Sequence, residues 1–171
     1  MPLRTPESKS TLTTLLRLLL PGEGQSFGDR AALQARGATR GWLDVQIWTH
    51  GFFFIPMFLA LKNHLVDLFV LLAVTTPLSL LYHYTFERPG VLTQLEGVAA
   101  KLLFLYGVAQ LFHAPSTAAL AAETVLFLGT VAVFIATNLK QQWYDPYHCL
   151  LHVVPALWAA VVAATHKPLF F

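Results

Sequence analysis

Charge is what this chain has least of: Asp, Glu, Lys and Arg make up 12% of its 171 residues, against about 25% in an ordinary soluble domain. Cysteine occurs once, at Cys149, which excludes an intrachain disulfide and any cysteine-based zinc cluster. The 11 Lys and Arg against 9 Asp and Glu leave a formal net charge of only +2. No basic stripe interleaved with aromatics appears, so no nucleic-acid partner is expected. Glycine-rich phosphate loops, the Gly-x-Ser-x-Gly elbow and Cys-x-x-Cys pairs are missing as well, which removes the enzyme classes that depend on them. What fills the chain instead is apolar: 56% of it is hydrophobic. That composition describes an integral membrane protein.

Five stretches approach the ~20 apolar residues that a bilayer crossing requires: Trp42 to Leu61, His64 to Tyr84, Val91 to Phe112, Thr117 to Leu139 and Tyr147 to Thr165. The gaps between them are short and hold Lys62-Asn63, Phe86-Glu87-Arg88-Pro89-Gly90, His113-Ala114-Pro115-Ser116 and Lys140 to Asp145. Pro and Gly there favour tight turns, and the expected fold is all-α: a polytopic membrane bundle of about five antiparallel helices. It occupies residues 42–165, between an N-terminal segment, 1–41, and a short C-terminal tail, 166–171. The N-terminal segment is polar apart from Leu15-Leu16-Arg17-Leu18-Leu19-Leu20, and reads as an interfacial amphipathic helix rather than a signal peptide, because Arg17 interrupts the apolar run. Arg4, Lys9, Arg17, Arg30, Arg36 and Arg40 precede the first span. With alternating spans Arg88 and Lys140 join them, leaving Lys62 and Lys167 opposite. The positive-inside rule then puts the N-terminus in the cytoplasm.

Polar residues inside such spans are costly and mark function. Asp145-Pro146 reads as an N-cap followed by proline at the first helical position. His148 and His152 then share one face of the first two turns of the last span. On the same side the second span ends with Ser79 and His83, four apart and therefore on one face. The third span carries Glu96 about five residues in, roughly 8 Å deep. Ser79, His83, Glu96, His148 and His152 thus converge in depth from three segments. Three imidazoles with one open position suit a catalytic zinc ion. Glu96 is placed to take a proton from water activated by the metal, and Ser79 to hydrogen-bond the water or a developing oxyanion. His50, alone in the first span, is expected to be an interhelical hydrogen-bond partner. Asp44, Asp67 and Glu123 receive structural roles, Glu123 neutralised or paired with Lys101. Phe52-Phe53-Phe54 and Trp143-Tyr144 are expected at lipid or the interface.

Ser79-x-x-x-His83 ending one helix, an acidic residue early in the next, and His148-x-x-x-His152 opening the last resemble the CREST superfamily of membrane hydrolases. That group includes the alkaline ceramidases, the adiponectin-receptor family and the myomaker-type proteins. The local pattern Glu87-Arg88-Pro89-Gly90, Tyr147-His148-Cys149 and Pro155-Ala156-Leu157 is most similar to the myomaker-type branch. The resemblance covers roughly residues 64–165. It implies zinc on His83, His148 and His152, Ser79 and the acidic residue beside the metal-bound water, and hydrolysis of an amide or ester bond of a membrane lipid, ceramide- or phospholipid-like. Two features differ: Glu96 stands where the family usually has Asp, and five spans stand for the family's seven-helix core. Loss of an out-and-back pair of helices keeps the last helix entering from the same side.

Three functions remain open on the residues. The first is a zinc-dependent lipid hydrolase taking its substrate laterally from the bilayer, its metal site on the cytoplasmic side. The second is a non-enzymatic membrane protein in which zinc staples helices and the function is lipid or partner binding. The third is a haem protein, which would need His50 or His83 as an axial ligand, because His148 and His152 cannot grip one haem from opposite faces.

Overall fold

The computed structural model describes residues 39–85, 87, 90–139 and 141–170. The expected interfacial helix of the N-terminal segment lies outside the described residues. Every described element is helical: α1 (Val45–Trp48), a 3-10 segment (Thr49–Phe53), α2 (Phe54–Lys62), α3 (Val66–Tyr84), α4 (Val91–Leu111), α5 (Thr117–Leu139), α6 (Gln141–Tyr147) and α7 (Leu150–Thr165). The chain is an all-α bundle, and three of its helices, α3, α4 and α5, are long and apolar enough to cross a membrane.

The first and last expected spans differ from a simple reading. The first is one run of helical chain in three pieces. Asp44 caps it by accepting from the Gln46 N–H at 2.9 Å, and the middle piece tightens to 3-10 geometry. Pro56, just inside α2, has no N–H for the Phe52 carbonyl, so the regular ladder fails where the 3-10 piece sits. In the last span, the expected cap-and-start at Asp145-Pro146 is corrected. Pro146 lies near the end of α6, the chain breaks at His148-Cys149, and α7 begins only at Leu150. The amide of His148 still closes on the Tyr144 carbonyl at 2.8 Å, while Leu151 reaches back only to His148, also at 2.8 Å. Pro146 supplies no amide to the Gln142 carbonyl, and Pro155 none to Leu151, so the ladder is weakened on both sides of the break. At 16 residues α7 is about 24 Å long, short of a hydrocarbon core of roughly 30 Å.

The bundle wears its apolar residues outside. Leu95, Val98, Leu102 and Leu105 run at helical spacing along the exposed face of α4, as Val66, Val70 and Val74 do on α3. Inside, α3 packs on α4, α5 on α7, and α2 on both α3 and α7. Small residues let α7 come close: Ala156, Ala159 and Ala163 are buried beside Ala60, and Asn63 Nδ2 donates to the Ala163 carbonyl at 2.7 Å. Gly107 on α4 is needed where the Trp158 indole crosses it, since a Cβ there would stand 2.8 Å from two ring carbons. Phe104 and Phe127 close around the same indole edge-on, centroids 6.0 and 5.6 Å away.

Two helix ends fix the polar interior. The turn after α2 is a Schellman closure, Leu65 N–H reaching the Ala60 carbonyl at 2.8 Å, with His64 left-handed at φ 60° where glycine is usual. After α3, Glu87 takes φ 55° and its N–H reaches the Tyr82 carbonyl at 2.9 Å. A non-glycine residue held there costs on the order of 1–3 kcal/mol, which its side-chain contacts offset. Beyond α7 the tail folds back: the Leu169 N–H donates to Asp67 Oδ2 at 2.8 Å, and His166 Nε2 meets Glu123 Oε1 at 2.6 Å. Glu123 therefore pairs with His166 and not, as expected, with Lys101.

Candidate metal centre

Four imidazoles gather at the end of the bundle where α3 finishes and α7 begins. His83 comes from the last turn of α3, His50 from the 3-10 segment, His148 from the break before α7 and His152 from the first turn of α7. His50, His83 and His152 are only 2–3% exposed. These three offer ligand nitrogens that all lie within 4.8 Å of one another, an arrangement able to hold a metal ion. His148 Nε2 lies 3.3 Å from His83 Nε2.

The partners of the rings decide which nitrogen faces the cluster. Thr49 spends its one hydroxyl proton on the Val45 carbonyl at 2.6 Å, so toward His152 Nδ1, 2.8 Å away, it acts as acceptor. The proton of His152 is thereby fixed on Nδ1, and Nε2 is left as a buried lone pair with no partner. His83 Nδ1 donates to Glu87 Oε1 at 2.9 Å, and His50 Nδ1 to the Ile47 carbonyl at 3.2 Å. Each of the three rings is thus anchored through Nδ1–H, which keeps the Nε2 lone pair for the centre, as outer partners do for metal-binding histidines. Between the facing Nε2 atoms of His83 and His148 a single proton or a cation has to lie, because two lone pairs repel.

A charged belt holds this end. Arg40, although next to the undescribed segment, is buried, its Nη1 3.2 Å from Asp44 Oδ2 and its Nη2 3.5 Å from Glu87 Oε1. Its amide reaches the Tyr84 carbonyl at 2.8 Å. Tyr144 is buried, not at lipid or the interface as expected. Its ring lies 4.3 Å from that of His148, and its hydroxyl hydrogen-bonds Glu87. Burial holds the Tyr144 phenol well above its ordinary pKa, so it stays a neutral donor. Of the Phe52-Phe53-Phe54 cluster, Phe53 is in the core and Phe54 is exposed.

His83, His148 and His152 come together, and Ser79 reaches the cluster through His50, its Oγ 3.1 Å from His50 Nε2. Glu96, half-buried on α4, hydrogen-bonds Ser79 and lies in the field of Lys101. The one hydroxyl proton of Ser79 therefore faces two acceptors. His50, expected outside the site because of its isolation in the first span, has its ring centroid 3.9 Å from that of His152, the two planes tilted by 43°. The signal for it was the run Asp44-Val45-Gln46-Ile47-Trp48-Thr49-His50, too polar on one side for a lipid-facing helix. No family model, curated protein or solved structure matches the chain.

Proposed function

We propose that this chain is a zinc-dependent intramembrane hydrolase that cleaves an amide or ester bond of a membrane lipid, ceramide- or phospholipid-like. The observation that carries the reading is the cluster of inward-facing Nε2 atoms beside Ser79 and Glu96, each anchored ring holding its proton away from the centre. Such a donor set fits zinc: borderline nitrogen ligands, no thiolate, and a lone pair on His152 that has no other use. His83 and His152 hold the ion, with His50 or His148 as the third imidazole. Zinc supplies a Lewis acid that polarises a carbonyl and activates water at neutral pH. Glu96 takes the proton of the attacking water and passes it to the leaving amine or alkoxide. Ser79 donates to the carbonyl oxygen as charge develops. The resemblance to the CREST membrane hydrolases supports the same assignment for Ser79, His83, His148 and His152, with Glu96 in the place of the family's Asp. The charge pattern supports a multi-pass protein with its N-terminus and metal site on the cytoplasmic side.

One observation favours a second reading. A fourth imidazole, His148, sits against His83, and four histidines would close the coordination sphere, as in a structural zinc site serving lipid or partner binding. The readings part on one experiment: Ser79→Ala and Glu96→Gln in proteoliposomes supplied with ceramides and phospholipids. A hydrolase loses turnover in both variants while keeping its zinc. Wild-type protein loaded with zinc but inert on every amide and ester lipid leaves the structural site.

A further inference from the structure

One cation inside the bundle is left without a partner. Lys101 follows Val91, the first residue of α4, by ten positions, which sets its Cα about 15 Å along the helix, roughly the mid-plane of a bilayer core. Its expected partner, Glu123, is taken by His166. The other carboxylates of the bundle are taken as well: Asp44 and Glu87 by Arg40, Asp67 by the Leu169 N–H and Tyr106, and Glu96 by Ser79. Lys101 makes no ion pair or hydrogen bond with any described residue. A charge at that depth is costly unless something meets it, and marks a functional site.

The place of Lys101 on α4 says what could meet it. Leu102 and Leu105 are exposed, whereas Phe104 packs on Phe127 of α5, ring centroids 5.7 Å apart. Half-buried Lys101, three and four residues before Phe104 and Leu105, therefore stands at the edge of the α4–α5 contact, where the bundle meets acyl chains. Side chains lean toward the N-terminus of their helix, and α4 begins at the histidine end, with Glu96 on Ser79. Glu96 is five residues closer to that end, about 7.5 Å of rise. The four-carbon stem of Lys101 leans the same way, carrying the ammonium back toward the level of Glu96, which lies in its field. About 140° of helix rotation separates the two: Glu96 is directed at Ser79 and Lys101 at the lipid edge.

We propose that Lys101 binds the phosphate of a glycerophospholipid, which makes the substrate of the site a phospholipid and not a ceramide. The choice of substrate rests on the hydrolase reading; the phosphate contact does not. An ammonium on a flexible stem binds phosphate as a point charge. In a glycerophospholipid an ester and the phosphate sit on adjacent glycerol carbons, so a phosphate held at the rim of α4 leaves the ester beside it, at the level of Ser79 and Glu96. Ceramide is uncharged and would leave the ammonium unmet.

Native mass spectrometry of the full-length protein in detergent tests the contact, with ether-linked phosphatidylglycerol competing against dialkylglycerol, because ether lipids survive any amidase or esterase. Wild-type protein should prefer the phospholipid by about tenfold, the worth of one hydrogen bond to a charged group. Lys101→Met keeps an unbranched chain suited to the bilayer and should abolish the preference, and Lys101→Arg should restore it. No preference in wild-type protein, or one that survives in folded Lys101→Met, would overturn the proposal. So would displacement of the lipid by inorganic phosphate, which marks an anion site reached from water. Turnover is read separately on the ester-linked phospholipid: wild-type protein that binds through Lys101 and cleaves nothing keeps the phosphate site and removes the hydrolase reading, so the two failures are told apart.

Discussion

Thr49→Val removes one oxygen and keeps the shape of the side chain, and it strikes the anchor of His152. Thr49 and His152 are 2% and 3% exposed, 2.8 Å apart, so water cannot replace the lost acceptor. Two consequences separate by assay. Without metal, a buried Nδ1–H goes unsatisfied, which costs roughly 1–3 kcal/mol of stability. With metal, losing an outer partner of a ligating histidine lowers affinity about 10–100-fold, or roughly 1.4–2.8 kcal/mol at 1.4 kcal/mol per factor of ten. The upper end is expected here, because nothing then stops the imidazole proton from moving to Nε2, the atom that would bind. Thr49→Ser keeps the hydroxyl and should restore affinity. Competition titration of zinc against a chromophoric chelator reads the second effect, and the thermal midpoint of metal-free protein reads the first. Wild-type zinc affinity in a folded Thr49→Val protein would refute the assignment of His152 Nε2 as a ligand atom.

Glu87 answers to Arg40, His83 and Tyr144 at once. Removing one partner of a buried ion pair costs roughly 3–5 kcal/mol, and Glu87→Ala should fall near the low end because Asp44 stays with Arg40; thermal unfolding in detergent measures it, and an unchanged midpoint contradicts the belt. Gly107→Ala drives a methyl into the Trp158 ring, which Phe104 and Phe127 keep from turning aside. Overpacking of this kind costs about 1–3 kcal/mol, and combining it with Trp158→Phe should recover most of the loss. Additive destabilisation in that double variant would show that the two side chains do not meet.

Much of the fold could be read from apolar run lengths, since three uninterrupted stretches became α3, α4 and α5. The first and last spans were read too simply, because a proline's effect on a helix depends on what its neighbours can satisfy. Asp145-Pro146 resembles a helix start, yet α6 continues through it and the break falls at His148-Cys149. For the site, i,i+4 spacing along α3 and the order of polar residues sufficed to bring Ser79, His83, Glu96, His148 and His152 to one end. Spacing says nothing of distances between helices, and so it missed His50, whose ring lies on His152 only because the 3-10 segment turns it inward. Glu87, Tyr144 and Arg40 were legible only as turn, aromatic and surface-charge residues, since their roles come from burial against one another. His166 had no signal, its partner Glu123 lying on a different helix.

Metal content tests the histidine cluster as a zinc site most directly. Purified wild-type protein is expected to carry about one zinc ion per chain, measured by inductively coupled plasma mass spectrometry. His83→Ala and His152→Ala should lose it, and whichever of His50→Ala and His148→Ala also loses it identifies the third imidazole. A folded wild-type chain that neither carries nor takes up zinc would contradict the account.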